Sequence, residues 1–585
     1  MSEDRTQLTV RAAVAGMLLG GVMSLSNLYV ALKTGWTFGV SITAGILAFA
    51  IFAALHKVGA SKKPFGILEN NAMQSVASAA GYMTGGGTVA AIPALMMITG
   101  EPMVWTTMMP WIASIAALGV VMAIPMKQQM IDVEGLRFPS GIAAAETLRA
   151  LHGDADSGGQ EKARFLGVSA FIGAFVAFFR DAKAAWIPYN FLEKVTLPGL
   201  TLGGRRIWEY TISFETSLLL VGGGAIMGWR AAWSLLLGAG INYLILVPRM
   251  YELGAIDPKL GYKNIVAWSV WFGSTTILTS GLLSFAFQWR TVMRAMQSVS
   301  AAMKVDAVDD GQVPMRWFFI GMAIFAPIVI FLEWLFFGIA PWLGVISVVL
   351  GFFIAIVACR ATGETDTTPT GALGKITQIT FGALDPGNTT TNLMTAHVTG
   401  GAGLHAADLL TDLKSGYILG ADPKQQFWAQ FLGVLAGSVF VVPAYRLLIP
   451  TADLIGTDKW PAPGAQTWKG VALLLANGLS SLHYTAQISI VVGAVVGVAL
   501  VLLDRFLPRL RHLIPSAMGF GLAFTLPVYN TLAMFLGASI AMILERTRPA
   551  LAERTVVPVS SGFIAGESLM GIAVAIAVVS GLLHG

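Results

Sequence analysis

The chain has 585 residues, of which 55% are apolar and only 12% are charged, with a formal net charge of +5. A soluble globular protein carries about 25% charged residues, because its surface must be hydrated. Together with a mean hydropathy of +0.70, this composition excludes a soluble enzyme, a disordered chain and a disulfide-rich scaffold. It predicts an all-α polytopic membrane protein.

The N-terminal segment, residues 1–11, is polar and charged. The apolar stretch that follows is too long for the core of a signal peptide and lacks a small-residue cleavage site. We therefore expect an uncleaved N-terminus on the cytoplasmic side of the cytoplasmic (inner) membrane. The sequence contains no basic run with interleaved aromatic residues, so we expect no nucleic-acid partner.

Apolar windows long enough to cross about 30 Å of hydrocarbon recur along the whole chain. They begin near Ala12, Gly35, Val104, Phe165, Ser217, Ala231, Val266, Trp317, Ile339, Phe427, Ile488, Val528 and Ile564. Shorter stretches, interrupted by glycine or proline, predict re-entrant or broken helices near Thr88, Ala185, Val471 and Pro515. Together these windows predict about sixteen helical elements.

The chain divides into two similar halves at the polar break of residues 290–315. The sequence A-A-E-T-L at 144–148 matches A-A-D-L-L at 406–410, and further matches follow in the same order. Because this order is kept over several elements, we predict an internal duplication, with transmembrane halves at residues 1–300 and 312–585. The number of crossings in each half decides whether the repeats are parallel or inverted, and the sequence leaves that number open.

Four polar stretches interrupt the apolar sequence, at residues 69–82, 138–146, 363–378 and 406–420. An ionised side chain at mid-bilayer costs at least ~2.5 to 3.5 kcal/mol, so charged residues there need a reason. The repeat-related positions of these stretches indicate a shared central pathway. The candidate substrate-binding residues are Glu69, Asn70, Asn71, Gln74, Tyr82, Glu364, Asp366, Lys375, Gln378 and Lys414. The alternative is that these side chains join helices to each other by hydrogen bonds, or form a loop with an internal ion pair.

The last of these stretches contains an acidic pair, Asp408 and Asp412, whose spacing places both on one face of a helix. If both are buried, desolvation and mutual repulsion favour the protonated form of one of them, as proton coupling requires. Glu146 corresponds to Asp408 in the first half, and Glu567 lies in a third similar segment near the C-terminus. These four residues are the candidate proton-coupling residues. A solvated amphipathic helix at the membrane surface is the alternative for the acidic pair.

Two other signals are discounted. Residues 401–406 fit the pattern G-x-G-x-x-A, but no predicted strand precedes them and the composition leaves no room for a βαβ unit. The seven histidines lack metal-binding spacing and Cys359 is the only cysteine, so we expect neither a dedicated metal site nor a cofactor.

At its polar stretches the chain resembles the oligopeptide transporter family, specifically the bacterial and yellow-stripe-like branch. The resemblance is carried by E-N-N to G-Y at 69–82, F-P-S-G to E at 138–146, T-G-E-T-D at 362–366, A-D-L-L-T-D-L-K-S-G-Y at 407–417 and D-P-K-Q-Q-F at 422–427. It spans nearly the whole chain. The resemblance implies a helical bundle built by duplication, both termini in the cytosol, and proton-coupled import of small peptides or metal chelates.

We therefore predict a secondary active symporter that imports small oligopeptides together with protons, and no enzymatic activity. Glu69, Glu364 and Asp408 are expected to border one central cavity, where Lys375 or Lys414 can meet a substrate carboxylate. The alternative is an importer of metal chelates, such as siderophore or nicotianamine complexes, because a chelate carries its own ligands. An intramembrane hydrolase and a passive channel are disfavoured. The expected partners are the substrate, protons and the lipid bilayer, with homo-oligomerisation left open.

Overall fold

The computed structural model describes residues 7–583, apart from residues 36, 38, 86, 153–156, 184–186, 188–189, 197, 257–260, 288–312, 366–367, 369, 479, 481 and 581. Helices make up most of these residues. Eleven of the described helical runs are long and apolar enough to cross a membrane. The prediction of an all-α polytopic membrane protein is confirmed.

The α-helices of the N-terminal part come in short and long segments. They are α1 (Val10–Thr34), α2 (Ser41–Lys57), α3 (Ile67–Tyr82), α4 (Ala91–Thr99), α5 (Trp105–Met122), α6 (Ile124–Lys127), α7 (Pro139–His152), α8 (Ser157–Asp181), α9 (Leu218–Met227), α10 (Trp229–Gly240), α11 (Val247–Glu252) and α12 (Tyr262–Phe287). Two π-helical turns, Gln128–Val133 and Ile241–Leu246, continue α6 and α10.

The α-helices of the C-terminal part follow the same mixture of lengths. They are α13 (Met315–Phe337), α14 (Pro341–Thr365), α15 (Thr370–Leu384), α16 (Thr389–Leu419), α17 (Pro423–Leu448), α18 (Pro463–Asn477), α19 (Tyr484–Phe506), α20 (Ala517–Leu522), α21 (Val528–Thr547) and α22 (Pro549–Val579). Single 3₁₀ turns lie at Ile207–Tyr210, Ala452–Leu454 and Pro508–Leu510.

The loop between α8 and α9 carries the strands of the described chain, in two short antiparallel pairs. β1 (Lys194–Val195) pairs with β4 (Phe214–Glu215), and β2 (Thr201–Leu202) pairs with β3 (Arg205–Arg206). Lys194 lies opposite Glu215 in the first pair. This small elaboration brings Glu215 close to the beginning of α9.

Short helices occur at three of the four positions where the sequence predicts broken elements. α4 has 9 residues, α18 has 15 and α20 has 6. They are too short to cross 30 Å of hydrocarbon at a rise of about 1.5 Å per residue. The fourth position, Ala185, lies outside the described residues.

The helix α16 is central to the packing, although no apolar window marks it in the sequence. It contacts α3, α5, α7, α14 and α15, and most of its 31 residues are buried. Because protein surrounds most of this helix, it can carry polar side chains that a lipid-facing helix could not. Hydropathy therefore misses the helix that organises the interior.

Helices from the two predicted halves pack closely against each other. α3 lies against α1 and α17, and α8 lies against α22. Glycine permits the approach: a Cβ on Gly433 would lie 2.2 Å from the carbonyl oxygen of Val76, and one on Gly20 would lie 2.5 Å from the Cα of Ala77. Small residues are the usual means of bringing membrane helices together. The division at residues 300–312 and the internal duplication stay predictions.

Candidate functional site

The acidic pair of α16 is buried and faces α3 and α17. Ser78 of α3 donates a hydrogen bond to Oδ1 of Asp408 at 2.6 Å, and Ser41 donates to the Ser78 hydroxyl at 2.9 Å. Gln430 of α17 donates through Nε2 to Oδ2 of Asp412 at 2.7 Å. Both carboxyl groups are therefore held by neutral donors from other helices.

No cation lies against this pair in the described part of the chain. The ion pairs formed by the described residues include neither Asp408 nor Asp412. Oδ2 of Asp408 is buried and has no hydrogen-bond partner. A buried carboxyl group in such surroundings is costly as an anion and is therefore a candidate for proton binding.

Buried amide side chains on α3 extend the polar interior beside the acidic pair. Ser415 donates to Oδ1 of Asn71 at 2.8 Å, and Nδ2 of Asn70 donates to the carbonyl oxygen of Gly45 at 3.2 Å. Both side-chain polar atoms of Gln74, Nδ2 of Asn71 and Oδ1 of Asn70 are buried without a partner. Unpaired buried polar groups are uncommon and call for an explanation. These buried donors and acceptors have no hydrogen-bond partner among the described residues.

Glu69, at the N-terminal end of α3, belongs to a different arrangement. Arg11 donates to both of its carboxylate oxygens, at 2.7 and 2.6 Å, and the Thr9 hydroxyl donates as well. Ser78, which binds Asp408, lies roughly 13 Å further along the helix axis. Glu69 thus has partners of its own near the beginning of α3, and the expectation that it borders one cavity with Asp408 stays a prediction. The side chain of Glu364, and Asp366 as a whole, lie outside the described residues.

Glu146, the sequence counterpart of Asp408, lies on the surface of α7. Its side chain is 60% exposed and accepts a hydrogen bond from Arg149 at 2.9 Å, one helical turn away. Exposed ion pairs of this kind contribute little free energy. The structure does not give Glu146 the buried setting of Asp408.

Glu567 on α22 is buried but fully paired. Arg180 and Ser217 donate to its Oε1 at 2.8 and 2.7 Å, and the backbone N–H of Leu219 donates to Oε2 at 2.9 Å. Arg180 also binds Asp181 through two hydrogen bonds of 2.7 Å each. Glu567 is therefore one member of a buried ion-pair network that joins α8, α9 and α22.

This network borders a charged cavity of about 340 Å³. The α1 and α17 helices begin at the same end of the bundle, where the Gln7 N–H donates to Gln425 at 2.7 Å. The cavity lies at their other end. Its charged lining residues are Lys33, Arg180, Asp181, Lys183, Glu193, Glu215 and Lys459. Glu215 is 3.5 Å from Lys33, and its Oε2 is buried without a hydrogen bond.

The sequence does not single out this cavity, because charged residues near the ends of apolar windows are ordinary. Only their convergence from α1, α8, the β4 strand and the loop after α17 makes a site. A cavity with both signs of charge can bind a zwitterionic solute.

The other candidate substrate residues lie on α15, α16 and the end of α3. Lys375 is 2% exposed and lines a second cavity of about 150 Å³. Gln378 donates to Asn392 Oδ1 at 3.0 Å and to the carbonyl oxygen of Trp468 at 3.1 Å. The ammonium of Lys414 lies 5.5 Å from the ring centre of Tyr417. Tyr82 is half-buried at the C-terminal end of α3.

Two kinds of buried titratable residue escape the sequence argument. His397 and His405 face the interior from α16; Trp111 donates to Nδ1 of His397 at 3.1 Å, whereas Nδ1 of His405 has no partner. Glu333 is fully buried in α13, and Ser347 donates to its oxygens at 3.0 and 3.1 Å. A single carboxylate such as Glu333, within a long apolar stretch, gives no sequence signal of its own. The histidines lack metal-binding spacing, and no other pattern in the sequence marks them.

Comparison with known proteins gives matches across nearly the whole chain. A Haemophilus influenzae protein named "Putative oligopeptide transporter" is 26% identical over 95% of this chain and 93% of its own length. A Saccharomyces cerevisiae protein of the same designation is 22% identical over 97% of this chain and 95% of its own length. A metal-nicotianamine transporter of Arabidopsis thaliana is 25% identical over 98% of this chain and 92% of its own length.

The profile of the OPT oligopeptide transporter family matches residues 7–578. This match covers the acidic pair, both cavities and every helix from α1 to α21. It makes the protein a transporter and not an enzyme. The chain belongs to the OPT oligopeptide transporter family.

Proposed function

We propose that the protein is a secondary active, proton-coupled symporter that imports small oligopeptides across the cytoplasmic membrane, with its N-terminus in the cytoplasm. The observation that carries the proposal is the buried acidic pair on the central helix, held by neutral donors and without a cation among the described residues. The names of the bacterial and yeast relatives support a peptide substrate.

Asp408 is the proposed proton carrier. Its Oδ2 has no hydrogen-bond partner and is therefore free to hold a proton. A proton that enters down ~100 mV releases about 2.3 kcal/mol, which drives transport only if a buried group binds it on one side and releases it on the other. Asp412, one turn away, modifies the electrostatic environment of Asp408.

The buried amides of α3 are proposed to contact the peptide. Asn70, Asn71 and Gln74 offer unpaired donors and acceptors beside the proton carrier. Peptide N–H and C=O groups need such neutral partners when they leave water. Binding of the peptide and of the proton would then be linked through one polar network.

A metal-chelate substrate is the second candidate. Relatives in Arabidopsis and rice carry names that specify metal-nicotianamine transport. A chelate brings its own metal ligands and needs carboxylate-binding cations, of which Lys375 is buried and lines a cavity. Uptake measurements distinguish the two candidate substrates. The proposed proton coupling is the same for both.

The test is uptake into proteoliposomes with an imposed pH gradient and a clamped potential. Trialanine and iron(III)–nicotianamine are compared as radiolabelled substrates. We expect the wild type to concentrate one of them when the outside is acidic, and Asp408→Asn to bind it without concentrating it. Asp453→Asn, at an exposed position, is the matched control. Concentration by Asp408→Asn as large as in the wild type would contradict the assignment of the proton carrier.

A further inference from the structure

We propose that the cavity around Lys375 is an anion subsite, which binds a carboxylate of the transported solute between the N-termini of α15 and α18. This inference rests on the proposed function and specifies the substrate as one with a free carboxylate. It concerns recognition, whereas the acidic pair concerns proton coupling.

Lys375 supplies the charge of this subsite. Its side chain is 2% exposed, and it has neither an ion pair nor a hydrogen bond to any other described residue. Lys375 is also the one charged residue in the described lining of its cavity. A buried ammonium without an anion among its described neighbours is strongly destabilising, and a bound carboxylate would offset that cost through charge-assisted hydrogen bonds.

Two helix N-termini converge on the same cavity. Gly371, the second residue of α15, and Gly464, the second residue of α18, line it. The N–H group of Thr370 already donates to the carbonyl oxygen of Thr368, and the hydroxyl of Thr467 donates to that of Pro463, so the two glycines supply the N–H groups of the proposed subsite. The first N–H groups of a helix have no partner within the helix and carry partial positive charge. Backbone N–H groups and a cation that face one space are the usual elements of an anion site.

The N-terminus of α18 is left without a side-chain cap. Its N-cap residue is Ala462, whose side chain cannot accept a hydrogen bond, and Pro463 follows at the first helical position. Ala462 has a φ of 43°, in the left-handed region that non-glycine residues seldom adopt. Because Ala462 cannot cap the helix through its side chain and Pro463 has no N–H group, the N–H group of Gly464 is available to a ligand.

The size of the cavity indicates which part of the solute it takes. Its volume of about 150 Å³ admits a carboxylate with a small residue and not a whole peptide. Gly35, Gly85, Gly371 and Gly464 form part of its wall, so that backbone approaches the space closely. The subsite would therefore hold one end of the substrate.

The wall of the subsite contacts α16 about one helical turn before the acidic pair. Gly85 lines the cavity, and a Cβ on it would lie 2.1 Å from Cδ2 of Leu404. Leu404 precedes Asp408 by about one helical turn. A solute anchored by its carboxylate at Lys375 would thus extend toward the proton carrier and the amides of α3.

The experiment compares solutes that differ only in the carboxylate, bound to the purified full-length protein in detergent without any gradient. Calorimetric affinities are measured for trialanine and trialanine amide, and for metal-free nicotianamine and its trimethyl ester. The wild type should prefer the free acid of its substrate by about tenfold or more, as the loss of a charge-assisted hydrogen bond predicts. Lys375→Met should abolish that preference, Lys375→Arg should keep part of it, and Lys57→Met, at an exposed lysine, should leave it unchanged.

The inference is overturned if the wild type binds neither free acid better than its blocked form. It is also overturned if Lys375→Met keeps the preference of the wild type. The comparison of the free acid with its blocked form uses the wild-type protein, so its outcome does not depend on whether a variant folds. If the acid preference is present but uptake ignores the pH gradient, the anion subsite stands and the proposed proton coupling fails, so the two failures are distinguishable.

Discussion

Two of the sites where the described residues bury carboxyl groups among helices differ in their partners. Glu567 receives hydrogen bonds from Arg180, a serine hydroxyl and a backbone N–H. Asp408 receives one hydrogen bond, from Ser78, and leaves its second oxygen unpaired. The oxygens of Glu567 are thus satisfied by a cation and two further donors, whereas no cation lies against Asp408 among the described residues. Burial alone therefore does not identify a proton carrier.

The helices that surround each site explain the difference. Arg180 lies near the end of α8, and its long side chain reaches Glu567 on α22. The acidic pair instead faces α3 and α17, which approach through glycine and present serine and amide side chains. Because these helices lie so close together, the space between them fits short neutral side chains. The first site is suited to joining helices, and the second to changing its charge.

The largest expected effect is on stability, at the paired site. Arg180→Met should lower the free energy of unfolding by roughly 3–5 kcal/mol, because it leaves Glu567 buried without its cation. Asp408→Asn should cost less than about 1 kcal/mol, since Ser78 can still donate to the amide oxygen. Thermal unfolding of both purified variants in detergent measures the difference.

The double variant Arg180→Met with Glu567→Gln tests whether the loss of stability in Arg180→Met comes from the unpaired charge of Glu567. The double variant should be more stable than Arg180→Met alone. Equal unfolding temperatures for Arg180→Met and the wild type would show that the pair at α8 and α22 contributes no stability.

The next effect concerns the second member of the acidic pair. Asp412→Asn should reduce concentration of the substrate in a pH gradient without abolishing it, because Gln430 can still bind the amide and Asp408, the proposed proton carrier, is unchanged. The measurement is the accumulation ratio in proteoliposomes, with Asp453→Asn as the control. If Asp412→Asn loses accumulation completely and Asp408→Asn accumulates normally, then Asp412 and not Asp408 is the proton carrier.

A smaller effect is expected at the hydrogen bond to the proton carrier. Ser78 donates to Asp408 and so favours its ionised form. Ser78→Ala removes that support, and the pH profile of uptake should move to higher pH by less than about one unit. The measurement is initial uptake against external pH, with Ser539→Ala as a matched control on α21, where the hydroxyl bonds only its own helix. A shift to lower pH would contradict the assigned donor.

The smallest effect is expected at Glu146. Its exposed ion pair with Arg149 should make Glu146→Gln equal to the wild type in both accumulation and unfolding temperature. Uptake and thermal unfolding are measured together. A loss of pH-driven accumulation in this variant would restore the role that the sequence repeat predicts for it.

Residues that the predicted repeat pairs with each other have different surroundings in the structure. The repeat pairs Glu146 with Asp408, yet one is exposed and the other is buried between helices. After a gap of four residues, the predicted repeat also pairs Arg180 with Arg446. Arg180 is buried in an ion-pair network, whereas Arg446 donates to the carbonyl oxygen of Pro450 at 3.5 Å. Similar residues therefore serve different purposes in the two halves.

The sequence by itself determines that this chain is a polytopic helical membrane protein of the OPT family, and it locates the polar stretches that include the acidic pair. Composition and local pattern suffice for this, because lipid requires apolar helices and motifs are contiguous. Only the tertiary structure decides that Arg11 pairs with Glu69, that Arg180 pairs with Glu567, and that Lys375 faces a cavity with no ion-pair partner among the described residues. The reason is that the charge state and availability of a buried group depend on neighbours from distant parts of the chain, 387 residues away for Arg180 and Glu567.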